Sequence, residues 1–398
     1  MGDGRATSGA RQSLVALGLN SVTSLVAGAF LGAIVDTLAR HPGLLVLVPA
    51  AIGLRGNIFG ALGNRVSTAI HAGTLRWSLH RESVLGQNVL ASMILTAGVS
   101  LLLAVVAKLI AVALGVPGTI GVLELATISI VGGVLGSMLV LAAALGLTGG
   151  AVRYGWDLDN VNAPLVSTLG DVLTLPALWV AISLIGISIV TPVLGVLLIT
   201  GAVGLLLWGW RSRVVGLRRI VRESVPVLVA AGCLSAGAGI ALERSFDRFD
   251  ALPALLVLVP AHLSSAGALG GVLSGRLASQ LFLGLVTPQS RPDRVARGEI
   301  AVVAIVAVPV FVFNGVGAHL ASAALGQTGP GLLQMVAVAL LGGILAMAFV
   351  VTVAYYGTIT AHRAGLDPDT YGIPIVTSSV DLVGAFALVV AITLLGLG

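Results

Sequence analysis

Charge is the scarcest property of this sequence. Only 9% of its 398 residues are Asp, Glu, Lys or Arg, against about 25% in soluble domains, so little of the surface is built to face water. Cysteine is almost missing as well. Cys233 stands alone in an apolar run, which excludes an intramolecular disulfide and any metal site built on thiolates. No Ser–His pairing, HExxH sequence or nucleotide-binding loop is present to support the usual enzyme chemistries. The net charge of +5 points to nucleic acid only superficially, because membrane proteins gather arginine in their cytoplasmic loops. No nucleic-acid partner is expected. The opening MGDGRATSGARQ is short and polar and lacks a small-residue cleavage site after an apolar core. It reads as a cytoplasmic tail and not as a cleaved signal peptide.

What remains is apolar. Hydrophobic residues make up 57% of the chain, glycine contributes 53 positions, and several runs reach the roughly 20 residues needed to cross a bilayer. The expected fold is an all-α polytopic membrane protein surrounded by lipid. Spans are predicted near 12–35, 44–70, 84–114, 120–148, 164–190, 191–210, 223–243, 253–280, 298–325, 331–360 and 372–397, about 11 in all. With the N-terminus inside, the inner segments hold Arg5, Arg11, Arg76, Arg81, Arg153, Arg211, Arg213, Arg218, Arg219, Arg222, Arg291, Arg294, Arg297 and Arg363. The outer segments hold Arg40, Arg244 and Arg248. Fourteen against three predicts a cytoplasmic N-terminus and an extracellular C-terminus in a multi-pass plasma-membrane protein.

The chain repeats itself. LLVLVPA occurs at 44–50 and again at 255–261, an offset of 211, and RYGWDLDNVNAPLVSTLGD (153–171) aligns with RAGLDPDTYGIPIVTSSVD (363–381) at an offset of 210. Asp36 pairs with Asp247, Pro42 with Pro253, Arg65 with Arg276, Pro164 with Pro374 and Asp171 with Asp381. Residues 1–190 and 223–398 thus read as two five-helix repeats, joined by a linking span and a basic loop at 191–222. Five spans would invert the second copy, but the extra span returns the chain to the cytoplasm. The repeats are therefore expected to be parallel, related by a pseudo-two-fold axis along the membrane normal.

Asp171 and Asp381 are the sharpest chemical signal. An ionised carboxylate at the centre of a lipid-exposed helix costs about 2.5–3.5 kcal/mol on insertion scales. Two at matched positions call for a compensating environment. Residues three and four positions earlier share a helix face; here they are Thr168 and Ser167, and Ser378 and Thr377. A stripe of carboxylate and hydroxyls suits an aqueous pore. The competing reading is an interhelical hydrogen bond or a salt bridge to Arg55, Arg65 or Arg276. Carboxylate and hydroxyl oxygens favour Mg²⁺, Ca²⁺ or Mn²⁺ over softer metals. Mg²⁺ sheds water reluctantly, so selectivity would come from pore width and from hydrogen bonds to its hydration shell.

The stretch PAAIGLRGNIFGALGNRVST (49–68) adds polarity where lipid is expected. Gly53, Gly56, Gly60 and Gly63 recur at a spacing that lets a neighbouring backbone approach. Pro49 removes a helix donor, which is tolerable where carbonyls line a cavity. Asn57 offers an amide oxygen to a hydrated ion, or interhelical glue. The second copy departs here: Ala268 stands at the place of Asn57, and His262 at that of Ala51. Asp36 and Asp247 sit at the predicted outer ends of the first span in each half, as entrance acids or solvated ones. Asp157, Asp159, Asp367 and Asp369 lie near the inner mouth. Asn88, Asn314, Glu124 and Glu299 read as polar packing.

These residues also carry a family likeness. PAAIGLRGNIFGALGNRVST resembles the signature of the MgtE and solute carrier family forty-one divalent cation transporters, and NAPLVSTLGD and GIPIVTSSVD resemble that family's fifth helix. The likeness spans nearly the whole chain as two tandem units, the arrangement of the solute carrier branch. It implies that Asp171 and Asp381 hold Mg²⁺ at the axis and that Asn57 matches the asparagine of the GN signature. It also implies that one chain acts as a pseudo-dimer, with further homo-oligomers left open. The large cytosolic amino-terminal and CBS domains of bacterial MgtE have no room here, so their Mg²⁺-sensing gate is not implied. The expected function is Mg²⁺-preferring transport, channel-like or as a Na⁺- or H⁺-coupled exchanger. An intramembrane enzyme using the paired aspartates is the alternative from another class.

Overall fold

The computed structural model describes residues 3–71, 73–113, 115–116, 118–154, 158–185, 190–363 and 373–397. Side chains at 3–16, 64, 71, 147, 151–154, 158–168, 190, 282, 361 and 373 are not described. The helices are α1 (Asp3–Ala33), α2 (Val35–Arg40), α3 (Leu44–His71), α4 (Val84–Ala113), α5 (Val122–Tyr154), α6 (Leu158–Ile182) and α7 (Val190–Trp210). They continue with α8 (Val215–Glu243), α9 (Phe246–Ala251), α10 (Ala254–Phe282), α11 (Arg294–Ala324), α12 (Leu332–Arg363) and α13 (Ile373–Leu394). No strand occurs among the described residues. Among the described residues nine helices are long and apolar enough to cross a membrane, and Leu17–Ala33 in α1 and Leu169–Ile182 in α6 add two shorter apolar stretches. This is an all-α polytopic membrane protein.

Some ends differ from the expected spans. α8 starts at Val215 and not at 223, so Arg218, Arg219 and Arg222 ride its first turns. Arg219 and Glu223 form an i,i+4 ion pair at 2.9 Å, a spacing that supports helix. α6 stops at Ile182, short of 190, where Ser183 Oγ donates to the Val180 carbonyl at 2.6 Å and occupies an end carbonyl. Asp36 and Asp247 lie beyond the first long helix of each repeat, in the first turns of the short α2 and α9.

The described chain forms two compact units. The first is Thr37–Glu243; the second joins Met1–Asp36 to Arg244–Gly398. The first helix of each repeat therefore lies in the unit built from the other repeat's remaining helices. α1 packs on α10 and α11, and α8 packs on α3 and α4. A glycine at each crossing permits it. A Cβ at Gly28 of α1 would run into the Val257 carbonyl of α10, and one at Gly239 of α8 into the Val46 carbonyl of α3. Both pairs are related by the same offset of 211. Small residues of this kind let helix backbones touch in lipid.

In each unit the repeat's second helix is the hub. Leu44–Val48 of α3 and Leu255–Val259 of α10 are buried all round, which explains their unbroken apolar sequence. α3 packs against α4, α5, α6 and α8, and α10 against α1, α11, α12 and α13. α7, which has no counterpart in the repeat, sits on α4, α5 and α8. It leaves Val196, Leu197 and Leu205 exposed, as lipid contact requires.

Candidate cation site

In the first unit, α3 and α6 meet tightly beside two predicted site residues. A Cβ on Gly170 of α6 would lie 3.7 Å from the Arg55 Cβ and 3.8 Å from the Gly56 amide nitrogen of α3. The adjoining residues are Asp171 and Asn57. Asp171 is buried, with 6% of its surface exposed, and Asn57 is half-buried. Thr174, one turn on, donates to the Gly170 carbonyl at 2.5 Å. The side chains of Ser167 and Thr168 are outside the described residues.

Arg55 shares this place. Its guanidinium is buried, donating from Nη1 to the Ala51 carbonyl at 2.8 Å and from Nη2 to the Gly132 carbonyl of α5 at 2.9 Å. Its Nε has no hydrogen-bond partner. A Cβ at Gly136 would come within 2.9 Å of that Nε, so glycines on α5 make room for the cation. The other two arginines weighed as partners are also engaged. Arg276 binds Glu299 at 2.5 Å, and Arg65 donates to Ser224 Oγ at 3.4 Å.

The second unit repeats the frame with other side chains. Asp381 of α13 is half-buried, Ser378 is buried, and Thr377 donates to the Pro374 carbonyl at 3.2 Å. α10 approaches α13 at Gly270, where a Cβ would lie 3.7 Å from Val380 Cγ2. His262 of α10 is 0% exposed, and neither ring nitrogen has a hydrogen-bond partner. Its ring lies 5.2 Å from that of Phe311 at 42°, and its Cε1 would sit 3.1 Å from a Cβ at Gly342. Asn314 donates to the Ala261 carbonyl at 3.1 Å and to Ser265 Oγ at 2.9 Å, and Ser265 meets Ser21 of α1 at 3.2 Å.

The outer candidates are dispersed. Asp36 and Asp247 are exposed. Asp157, Asp367 and Asp369, and the side chain of Asp159, lie outside the described residues. Asn88 donates to the Val84 carbonyl at 2.9 Å, and Glu124 accepts from the Gly121 amide at 3.0 Å. Among the described residues no group of three or more His, Cys, Asp or Glu side chains comes together. Gly60 does not serve close packing, since a Cβ there would meet nothing within 4 Å. Asn314 packs as a polar residue, as its sequence setting suggests, but its partners Ser265 and Ser21 were not foreseen; hydroxyls in apolar runs were their only signal.

Comparison with known proteins accounts for the repeated frame. The MgtE family, described as divalent cation transporters, matches residues 48–181 and again 259–391. Each match contains one of the two aspartates. Solute carrier family 41 member 2 of Xenopus laevis is 24% identical over 386 residues, covering 90% of this chain and 67% of its own length. Solute carrier family 41 member 3 is 24% identical over 405 residues in Rattus norvegicus (90% and 82%) and over 387 in Mus musculus (87% and 74%). No solved structure matches significantly. A family of transporters removes the intramembrane-enzyme alternative. With both of its halves matched, the chain belongs to the MgtE family of divalent cation transporters.

Proposed function

We propose that this protein carries Mg²⁺ across the plasma membrane along a path lined by Asp171 and Asp381 at the axis relating its two repeats. The observation carrying this reading is Asp171, a carboxylate buried in a membrane helix with an equivalent at Asp381. Such a group is costly in lipid and is kept where it meets an ion path. Asn57 on α3, with Ser378 and Thr377 on α13, supplies further oxygens. Ser167 and Thr168 do the same for the first repeat. Oxygen donors of this kind hold Mg²⁺ through its water shell and also admit Mn²⁺. An inside-negative potential favours entry of a divalent ion by about 4.6 kcal/mol per 100 mV, so inward flux needs no coupling ion.

Coupled exchange is the second reading, favoured by one observation. The unpartnered imidazole of His262 is a place where a proton could be taken up and released in step with transport. Mg²⁺ influx into proteoliposomes, with an imposed voltage, a Na⁺ gradient or a pH gradient, separates the two. Flux driven by voltage alone and reduced at least tenfold in both Asp171→Asn and Asp381→Asn is the expected result. A requirement for a counter-gradient establishes exchange. Folded variants that conduct normally would overturn the role of the aspartates.

A further inference from the structure

The first unit contains a second site unrelated to the aspartates. A cavity of about 800 Å³ opens where α4 begins, α7 ends and α8 begins, within the usual size range of small-molecule sites. Its polar wall is Arg81, Arg211 and Arg213, and its apolar wall includes Leu90, Leu207 and Trp208. Among the described residues no carboxylate is in ion-pair range of these three arginines. Glu82 also lines the cavity, leaving a net charge of two positives.

Its level in the membrane follows from the same residues. Leu207 and Trp208 belong to the last turn of α7 and are about half exposed, so they face lipid. Trp210 ends that helix and carries the Arg222 guanidinium 5.7 Å above its ring. Tryptophans at the end of a span mark the headgroup region. The arginine bias assigns this end to the cytoplasm, where anionic lipids are concentrated. A cavity with an apolar wall toward the acyl region and cationic groups at headgroup level matches an anionic amphiphile.

We propose that this cavity binds the phosphate headgroup of an anionic phospholipid, with Arg81, Arg211 and Arg213 on the phosphate and Leu90, Leu207 and Trp208 against the first part of an acyl chain. α7 and the 211–214 turn form much of the wall, and the second repeat has no counterpart of either. The lipid would tie the inserted helix to α4 and α8, a function the duplicated frame does not need elsewhere.

Native mass spectrometry of the full chain, with phosphatidylglycerol and phosphatidylcholine added at equal concentration, tests this. Preferential retention of phosphatidylglycerol is expected, weakened about fivefold by each of Arg81→Gln, Arg211→Gln and Arg213→Gln and about a hundredfold by the triple variant. Arg219→Gln, which alters an exposed arginine paired with Glu223 outside the cavity, should retain the lipid as the wild type does. Equal losses in Arg219→Gln would reduce the effect to general basic charge and overturn the site. Unchanged retention in the triple variant would also overturn it. Competition by glycerol 3-phosphate as effective as that by the lipid would show a soluble phosphate ligand and overturn the lipid assignment. The side chains are exposed, so each variant is expected to fold; thermal unfolding without added lipid checks this.

Discussion

The two compact units place different groups in the same cradle. In Thr37–Glu243, Gly132 of the Gly132–Gly133 pair of α5 lies against Leu178 of α6, and its carbonyl accepts from the guanidinium of Arg55. In the other unit, Gly342 of the matching Gly342–Gly343 pair of α12 lies against Leu388 of α13 and receives the imidazole of His262. The two side chains do not come from equivalent positions: His262 corresponds to Ala51, and Arg55 to Ala266. A guanidinium has a fork of donors that finds helix carbonyls; here the imidazole satisfies neither nitrogen. A second exchange runs the other way. Ser21, Ser265 and Asn314 form a hydrogen-bonded chain in one unit, where Gly232, Leu54 and Leu103 stand at the matching places in the other.

The largest effect is expected where the units agree. Gly28→Leu and Gly239→Leu each push a side chain into a facing carbonyl, at a cost of about 3 kcal/mol or more. Thermal unfolding in detergent should fall by similar amounts in both, and tolerance of only one would break their equivalence. The cradles should differ. Arg55→Met loses charge-assisted bonds to two carbonyls, a destabilisation of about 2–3 kcal/mol. His262→Leu removes an imidazole that makes no well-formed hydrogen bond and should cost less than about 1 kcal/mol or stabilise. A larger loss at His262 than at Arg55, in denaturant titrations, would contradict this account.

Smaller still is the exchange of the polar chain. Asn314→Leu should cost about 0.6–1.7 kcal/mol, the range for interhelical hydrogen bonds in membranes. The reverse change, Leu103→Asn, buries an amide beside Gly232, which has no hydroxyl in the place of Ser21, and should cost about 1–3 kcal/mol. The helix starts give the finest comparison. Ser83 Oγ accepts from the Gly86 amide at 3.0 Å before α4, and Asp293 accepts from the Ala296 amide at 2.8 Å before α11. Replacing either by Ala should cost about 1 kcal/mol at neutral pH. The Ala296 amide, foremost, holds the Asp293 carboxyl below its ordinary 3.8. Its contribution is therefore complete above that value and fades as pH falls through the lower folded value. Ser83 should show no such loss in acid unfolding curves.

Much of this frame was legible in the sequence. The spans, the repeat and the matched aspartates all follow from apolar run length and from an offset that recurs along the chain, and both survive without any knowledge of packing. The break after Ala33 that makes α2 a separate helix, and the early start of α8 at Val215, were not legible, because end position depends on local bonds such as Arg219–Glu223 and Arg222 to the Trp210 carbonyl. The four-residue glycine spacing on α3 was misleading at Gly60, which faces open space. Spacing shows that an approach is allowed, and only a neighbour decides whether one occurs.

By itself the sequence determined the membrane class, the duplication and the family signature, since burial cost and periodicity are properties of short segments. Only the tertiary structure decided which helix packs with which. Nothing in the order of the chain says that α1 rides on α10 and α8 on α3; that pairing rests on Gly28 and Gly239 meeting the carbonyls of Val257 and Val46, far away in the chain. It likewise decided that Arg55 makes two well-formed hydrogen bonds to backbone carbonyls. Such contacts are set by the shape of the opposing backbone, a long-range property that no local pattern encodes.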